Sequence, residues 1–302
     1  MDFLQLECFL SVVKNLNFTE AANSMFLSQS SISKHIMNLE KELGVKLFKR
    51  NTRSVSLTIA GEEFLEHAVT LIEEYYMTLR KIRSYRNIYS LNVGSIDHLR
   101  KIGLTTPIAT FLEKFPHINI NLEQNDTLKL MNLLMCCKID VALIAYIMYP
   151  FSNQTNISEY SLENYDLHTI VEDEYYLAVN SEHRLSKFEC IDWKELNEEK
   201  LIILDNSFSS NKVIKETIRH SRSHVKIAFE SKQVDTILGL INENFGVALL
   251  SKRVIIGNPN ITTVRMKNSI KRNTVIISPK KEFRSDVCSQ FINHILEFCD
   301  HE

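Results

Sequence analysis

The sequence predicts an α/β multidomain protein: a small, mostly helical N-terminal domain, one long helix, and a larger α/β domain of two lobes. Three observations predict it. Apolar residues recur at helical spacing, with tight breaks, through the first sixty positions. A single apolar stripe then runs for ~25 residues, about 38 Å of helix at 1.5 Å per residue. Short β-rich runs alternate with helical patterns from residue 91 onward, the signature of parallel-sheet units. A length of 302 residues suits about two domains, each with its own core. Hydrophobic residues at 44% and charged residues at 24% exclude a disordered chain, a collagen-like repeat and a disulfide miniprotein.

The elements follow in order. Phe3, Leu4, Leu6, Phe9, Leu10 and Val13 lie on one helical face. A second, short helix opens at Phe18-Thr19-Glu20-Ala21-Ala22, with Thr19 expected as its cap and Glu20 at the positive end of its dipole. It stops near Met25, because Ser28 is placed to cap a third helix. There Ile32, Ile36, Leu39 and Leu43 form the apolar face, and Gly44 follows where a left-handed residue is wanted. Short helix, break and amphipathic helix make a helix-turn-helix. Its second helix offers Gln29, Ser30, Ser33 and Lys34, side chains able to pair with base edges. An ordinary solvated helix face would show the same pattern. Val45–Arg50 and Val55–Thr58 then read as strands around a polar tip, with Arg50 and Arg53 at that tip. Such a basic wing suits phosphate or minor-groove contact. Thr58 caps the long helix, whose stripe is Phe64, Ala68, Leu71, Tyr75, Leu79 and Ile82. A narrow stripe on so long a helix predicts pairing with a second chain. Packing on its own domain is the other reading.

The net charge of −2 counts at first against nucleic-acid binding. Its distribution reverses that. Residues 28–53 carry Lys34, Lys41, Lys46, Lys49, Arg50 and Arg53 against only Glu40 and Glu42, while residues 91–302 are slightly acidic.

Ala21-Ala22, Leu27-Ser28-Gln29-Ser30-Ser31-Ile32-Ser33-Lys34-His35-Ile36, Leu39-Glu40, Leu43-Gly44-Val45, Leu47-Phe48, Arg50, Arg53, Leu57-Thr58 and Ala60-Gly61 resemble the winged helix-turn-helix of LysR-type transcriptional regulators. The resemblance implies that Gln29, Ser33 and Lys34 read DNA and that Arg50 and Arg53 serve the wing. Ser30 stands where the family usually has proline, Met37 where a basic residue is common, and Asn51-Thr52 where the tip often has glycine. The family pattern implies a DNA-binding domain at 1–58, a dimerisation helix at 59–88 and an effector-binding domain at 89–302. It also implies an operator in double-stranded DNA, a tetramer built from dimers, RNA polymerase as a partner and a cytoplasmic home.

The rest of the chain agrees in order. Leu91–Gly94 reads as a strand, Lys101–Phe115 as a helix, His117–Glu123 as a strand, Leu128–Cys137 as a helix and Ile139–Ile144 as a buried strand. Cys137 stands where the family helix usually ends in glycine. A second unit starts at Tyr175–Val179, with strands at 201–204, 226–229 and 247–250 and a helix at 233–243. Val264 and Thr274–Ser278 read as strands returning to the first unit, and Arg284–Phe298 as the closing helix. The pattern resembles a periplasmic-binding-protein fold, with lobe I at about 89–160 and 264–302 and lobe II at about 161–263. A ligand then lies between the lobes, at the C-terminal ends of strands. Ser95, Asp97, His98, Asp205 and Ser207 fall at such ends, and the resemblance implies effector contacts at His98 and at Thr127. Helix N-termini favour anions. Asp97 and Asp205 oppose them and a protonated His98 favours them, so the expected effector is small and polar, amino-bearing or zwitterionic. The bland reading of His98 is a surface loop histidine.

Catalysis finds little support. Seven glycines leave no G-x-G-x-x-G, no G-x-S-x-G and no G-x-x-x-x-G-K-[ST]. No His/Cys/Asp/Glu set has metal-ligand spacing, so neither cofactor nor metal is expected. The six cysteines are scattered apart from the adjacent Cys136-Cys137, as suits a reducing compartment. Neither a signal peptide nor a membrane-spanning run is legible, so no membrane partner is expected. A stand-alone solute-binding protein is the alternative function. It would want a signal peptide and would have no use for residues 1–86.

Overall fold

The structure, a computed structural model, describes residues 1–25, 27–51, 54–84 and 89–299. The chain divides into two compact units, Met1–Arg80 and Lys81–Glu302.

In the first unit, α1 (Phe3–Asn15) starts on a capping box: Asp2 accepts from the Gln5 N–H, and Gln5 Oε1 accepts from the Asp2 N–H. α2 (Phe18–Met25) is capped by Asn17, whose Oδ1 accepts from the N–H groups of Thr19 and Glu20. Thr19 is therefore not the cap. The cap lies two residues earlier, at Asn17, directly after Leu16, which takes a left-handed conformation at φ 47°. α3 (Gln29–Leu43) begins on Ser28, whose Oγ accepts from Ser31 N–H at 3.1 Å, and ends at Gly44 with φ +71°. β1 (Phe48–Asn51) and β2 (Ser54–Leu57) pair antiparallel. The first strand is shorter than the expected 45–50, since the Leu47 and Phe48 N–H groups are taken by Glu40. Phe9, Ala21, Ile32, Ile36, Leu39 and Leu47 are wholly buried in one core.

α4 (Ile59–Ser84) follows. Thr58 Oγ1 accepts from Gly61 N–H at 2.9 Å and donates to the Lys46 carbonyl at 2.6 Å, tying the helix start to the wing. A Cβ at Gly61 would lie 2.2 Å from the Leu47 carbonyl oxygen, so no side chain fits there. The expected seam does not run as one free face. Ala68 is fully buried and Phe64 packs on Phe9, both within the unit's own core. Tyr75 stacks on Phe3 at 3.8 Å. Leu79 is half-buried, and Leu71 and Ile82 are exposed. One stripe thus serves its own domain at its start and is open further along.

The second unit holds two sheets. Lobe I has strand order β4-β3-β5-β13-β6, from β3 (Ser90–Ser95), β4 (Asn119–Gln124), β5 (Val141–Ile147), β6 (Tyr165–Val171) and β13 (Arg272–Pro279). β3 pairs parallel with β4 and β5, while β13 runs antiparallel between β5 and β6. α5 (Thr105–Lys114), α6 (Thr127–Met135) and α10 (Asp286–Cys299) cover it. α5 starts later than the expected Lys101, because His98 and Gly103 take positive φ and turn residues 98–103 out of helical form. Cys137 does occupy a left-handed position, at φ 54°.

Lobe II has order β10-β9-β11-β7-β12-β8, from β7 (Tyr175–Asn180), β8 (Cys190–Ile191), β9 (Lys200–Leu204), β10 (Lys226–Ser231), β11 (Val247–Ser251) and β12 (Ile261–Met266). Its helices are α7 (Ser209–His220), α8 (Val234–Asn242) and α9 (Lys252–Ile255). Two expected lobe borders are corrected here. Residues 165–171 join the lobe I sheet by pairing with β13, and Val264 stays in lobe II by pairing with Leu177. The chain crosses between lobes at 172–174 and again at 267–271. Glu174 in one crossover forms a β-bridge with Lys271 in the other.

Candidate nucleic-acid interface and effector cleft

α3 buries Ile32, Ile36 and Leu39 and turns Gln29, Ser30 and Lys34 outward, with Ser33 half-exposed beside them. Ser30 Oγ is 2.9 Å from Ser28 Oγ, so it is held within the helix start. The helix is locked to the wing by an acid the sequence reading passed over. Glu40 is 3% exposed; its Oε1 accepts from the N–H groups of Leu47 and Phe48 at 3.0 and 3.3 Å, and its Oε2 pairs with Lys46 Nζ at 2.7 Å. Glu40 thus ties the far half of α3 to the root of the wing. Arg53 lies outside the described residues, as does the Arg50 side chain.

In the second unit a cavity of about 320 Å³ lies between the lobes, within the size range of small-ligand sites. The C-terminal ends of β3, β4, β9, β10 and β11 open onto it. Of the expected residues, Asp97, His98 and Thr127 line it. Ser95 does not: it is fully buried, and its hydroxyl donates to the Ile96 carbonyl. Asp205 and Ser207 do not either. The Ser207 hydroxyl and N–H both donate to the Asp205 carboxylate, a local turn that also holds the Asp205 carboxyl below its ordinary range. Thr127 Oγ1 is spent on Ala145, donating to its carbonyl at 3.3 Å and accepting its N–H at 3.2 Å. Burial is the main cause that pushes the His98 imidazole below its ordinary value, which disfavours the protonated form the expected anion contact calls for.

Other groups give the cavity its chemistry. Three buried side-chain atoms among the described residues lack a partner at hydrogen-bond geometry: Ser210 Oγ, Arg272 Nη1 and Thr274 Oγ1. Ser210 and Arg272 line the cavity, beside the Tyr175 hydroxyl, whose pKa burial pushes up. Asp126 lines it too; burial raises its carboxyl against the pull of the Leu128 and Ser209 N–H groups. Leu204, Phe208, Val234 and Leu250 supply an apolar wall. A helix-start rule applied to Asp126-Thr127 and to Ser209-Ser210 would have found two of these places. Arg272 carries no local signal.

Comparison with known proteins decides the family. The model of the bacterial regulatory helix-turn-helix protein, lysR family, matches residues 3–62, and that of the LysR substrate binding domain matches residues 88–300. The chain belongs to the LysR family of transcriptional regulators. It is thus a DNA-binding regulator with an effector-binding domain. This LysR-type regulator is 26% identical to the transcriptional dual regulator GltC of Bacillus subtilis over 303 residues, covering 99% of this chain and 97% of that one. It is 25% identical to a probable RuBisCO transcriptional regulator of Cyanidium caldarium over 305 residues, covering 97% and 92%. Among solved structures, full-length CbnR complexed with its target DNA matches with a TM-score of 0.52 at 21% identity, covering 99% of this chain and all of that one. Full-length BenM matches with a TM-score of 0.56 at 20% identity, covering 100% and 97%. These structures share the regulator's fold. None of its described helices is long and apolar enough to cross a membrane.

Proposed function

We propose that the regulator reads its operator through Gln29, Ser33 and Lys34, with Ser30 positioned by Ser28, and steadies the duplex through Arg50 and Arg53. It does so as a dimer joined along the open part of α4, at Leu71, Leu79 and Ile82, and as a tetramer of such dimers that engages RNA polymerase. The effector is a small zwitterion. Its carboxylate meets Arg272 and Ser210, and its ammonium group faces the acidic mouth, where Asp97 and Asp235 both act on His98. The observation that carries this reading is the buried Arg272 Nη1 and Ser210 Oγ side by side in the cavity, which reach only toward the neutral Tyr175 hydroxyl and find no acceptor or donor at full hydrogen-bond geometry, so a carboxylate there would gain charge-assisted bonds.

Thermal melting of the full chain tests it with ligands matched on one carbon skeleton, such as leucine, 4-methylpentanoate and isopentylamine. A ligand that binds only the folded form raises Tm. Across several skeletons the amino acid raises it most, the acid less and the amine not at all, and Arg272→Ala removes the rise. A rise with amines alone overturns the assignment.

A further inference from the structure

α7 begins without a cap of its own. Phe208 at its N-cap offers no side-chain acceptor, although a helix start exposes four N–H groups that need partners. The acceptor comes from the other lobe. Asp126 caps α6 in lobe I through Oδ2, which accepts from Leu128 N–H at 2.9 Å. Its other oxygen, Oδ1, accepts from the N–H of Ser209, the first residue of α7, at 3.2 Å. One carboxylate therefore closes the starts of two helices, one in each lobe, reaching from Asp126 to Ser209 across 83 positions of sequence. Both helix dipoles favour the negative charge placed there.

Asn156 reinforces this tie. Its Oδ1 accepts from Ile147 N–H and its Nδ2 donates to the Ala145 carbonyl, both at 2.8 Å, which fixes it on β5. The same Nδ2 donates to Ser209 Oγ at 3.2 Å. At another point between the lobes, Lys101 Nζ donates to the Val254 carbonyl at 2.7 Å.

We propose that Asp126 is the positioning residue of the effector cleft: it holds the start of α7 to lobe I and so places Ser209 and Ser210 where a ligand at Arg272 meets them. The consequence for binding rests on the effector reading above; the interlobe tie does not. A carboxylate arriving at Arg272 comes in near Asp126. Like charge then weakens the hold of Asp126 on Ser209, which gives a small ligand leverage on lobe spacing.

Hydrogen–deuterium exchange of the full chain, resolved to single amides, tests the tie without any ligand. Asp126→Ala speeds exchange at Ser209 about tenfold, as loss of a bond to a charged acceptor implies, and speeds Leu128 as well. Asp126→Asn, which keeps one acceptor oxygen, gives an intermediate rate. A local cap alone would move Leu128 and leave Ser209 untouched, and that result overturns the proposal, as does no change at either. Ser209→Pro supplies a second arm. It deletes the N–H at the first helical position, where proline is tolerated, after an extended Phe208 (φ −100°, ψ 134°). In urea unfolding, Asp126→Ala and Ser209→Pro are expected to be non-additive, and additivity overturns the tie. Failure of the zwitterion reading shows in the melting series and leaves these rates unchanged.

Discussion

Glu40 is a carboxylate sealed inside a domain whose task calls for positive charge. It persists because two backbone N–H groups and Lys46 satisfy it. Glu40→Ala strands the buried Leu47 and Phe48 donors and should lower stability by roughly 2–4 kcal/mol, read as a shift of the urea midpoint of the DNA-binding unit. Glu40→Gln keeps one acceptor oxygen and should lose less. In the sequence this acid reads as the polar flank of an amphipathic helix, because its partners are main-chain groups of a later segment and carry no side-chain signature. Ser95, Asp205 and Ser207 show the converse. Their place after strands is legible, but hydrogen bonds within each turn absorb them before they reach the cavity. The outward placement of Gln29 and Lys34 is legible in the sequence because an exposed face is defined by the apolar residues opposite it.

The proposed base contacts lie on helix α3, and their effects should be separable by side chain. Gln29→Ala and Lys34→Ala should each weaken specific operator binding by ~1–3 kcal/mol, measured against unrelated duplex at a fixed salt concentration. Equal loss on both duplexes would assign them to phosphate instead. For α4, Leu71→Glu with Ile82→Glu should shift the sedimenting species toward monomer while the melting temperature holds, since both side chains are exposed. The same change at Ala68 should unfold the domain, because that position is fully buried. Helix ends at Ser28 and Gly44 were predictable because capping is local chemistry. The apolar period of α4 was equally plain, yet a period does not say which neighbour it meets. Phe9 and Phe3 claim part of the stripe only after the chain has folded back.

In the effector domain the two crossovers are fastened to each other at Glu174. Burial works to raise its carboxyl, but hydrogen bonds from Ser269, Lys271 and Tyr176 and the Lys271 charge prevail and hold it down to about 2. A depressed acid stabilises the fold above its ordinary value of 4.5 and loses that contribution as pH falls toward about 2. Acid unfolding of Glu174→Gln should therefore be flatter than native across that window, with the native protein the more stable above it. An unchanged profile would remove Glu174 as the fastening. The sequence order of strands and helices announced two lobes, but their borders were misplaced at 165–171 and Val264. Sheet membership there depends on pairing across about a hundred residues, which no local pattern records. The shared carboxylate of Asp126 has a consequence for recombination. Lobe II grafted alone into another regulator would arrive with α7 unfinished, unless the recipient carries an acid at the matching start of its own α6. The portable module is then the complete effector domain, and inheritance by half-domain exchange should favour recipients that already hold that acid.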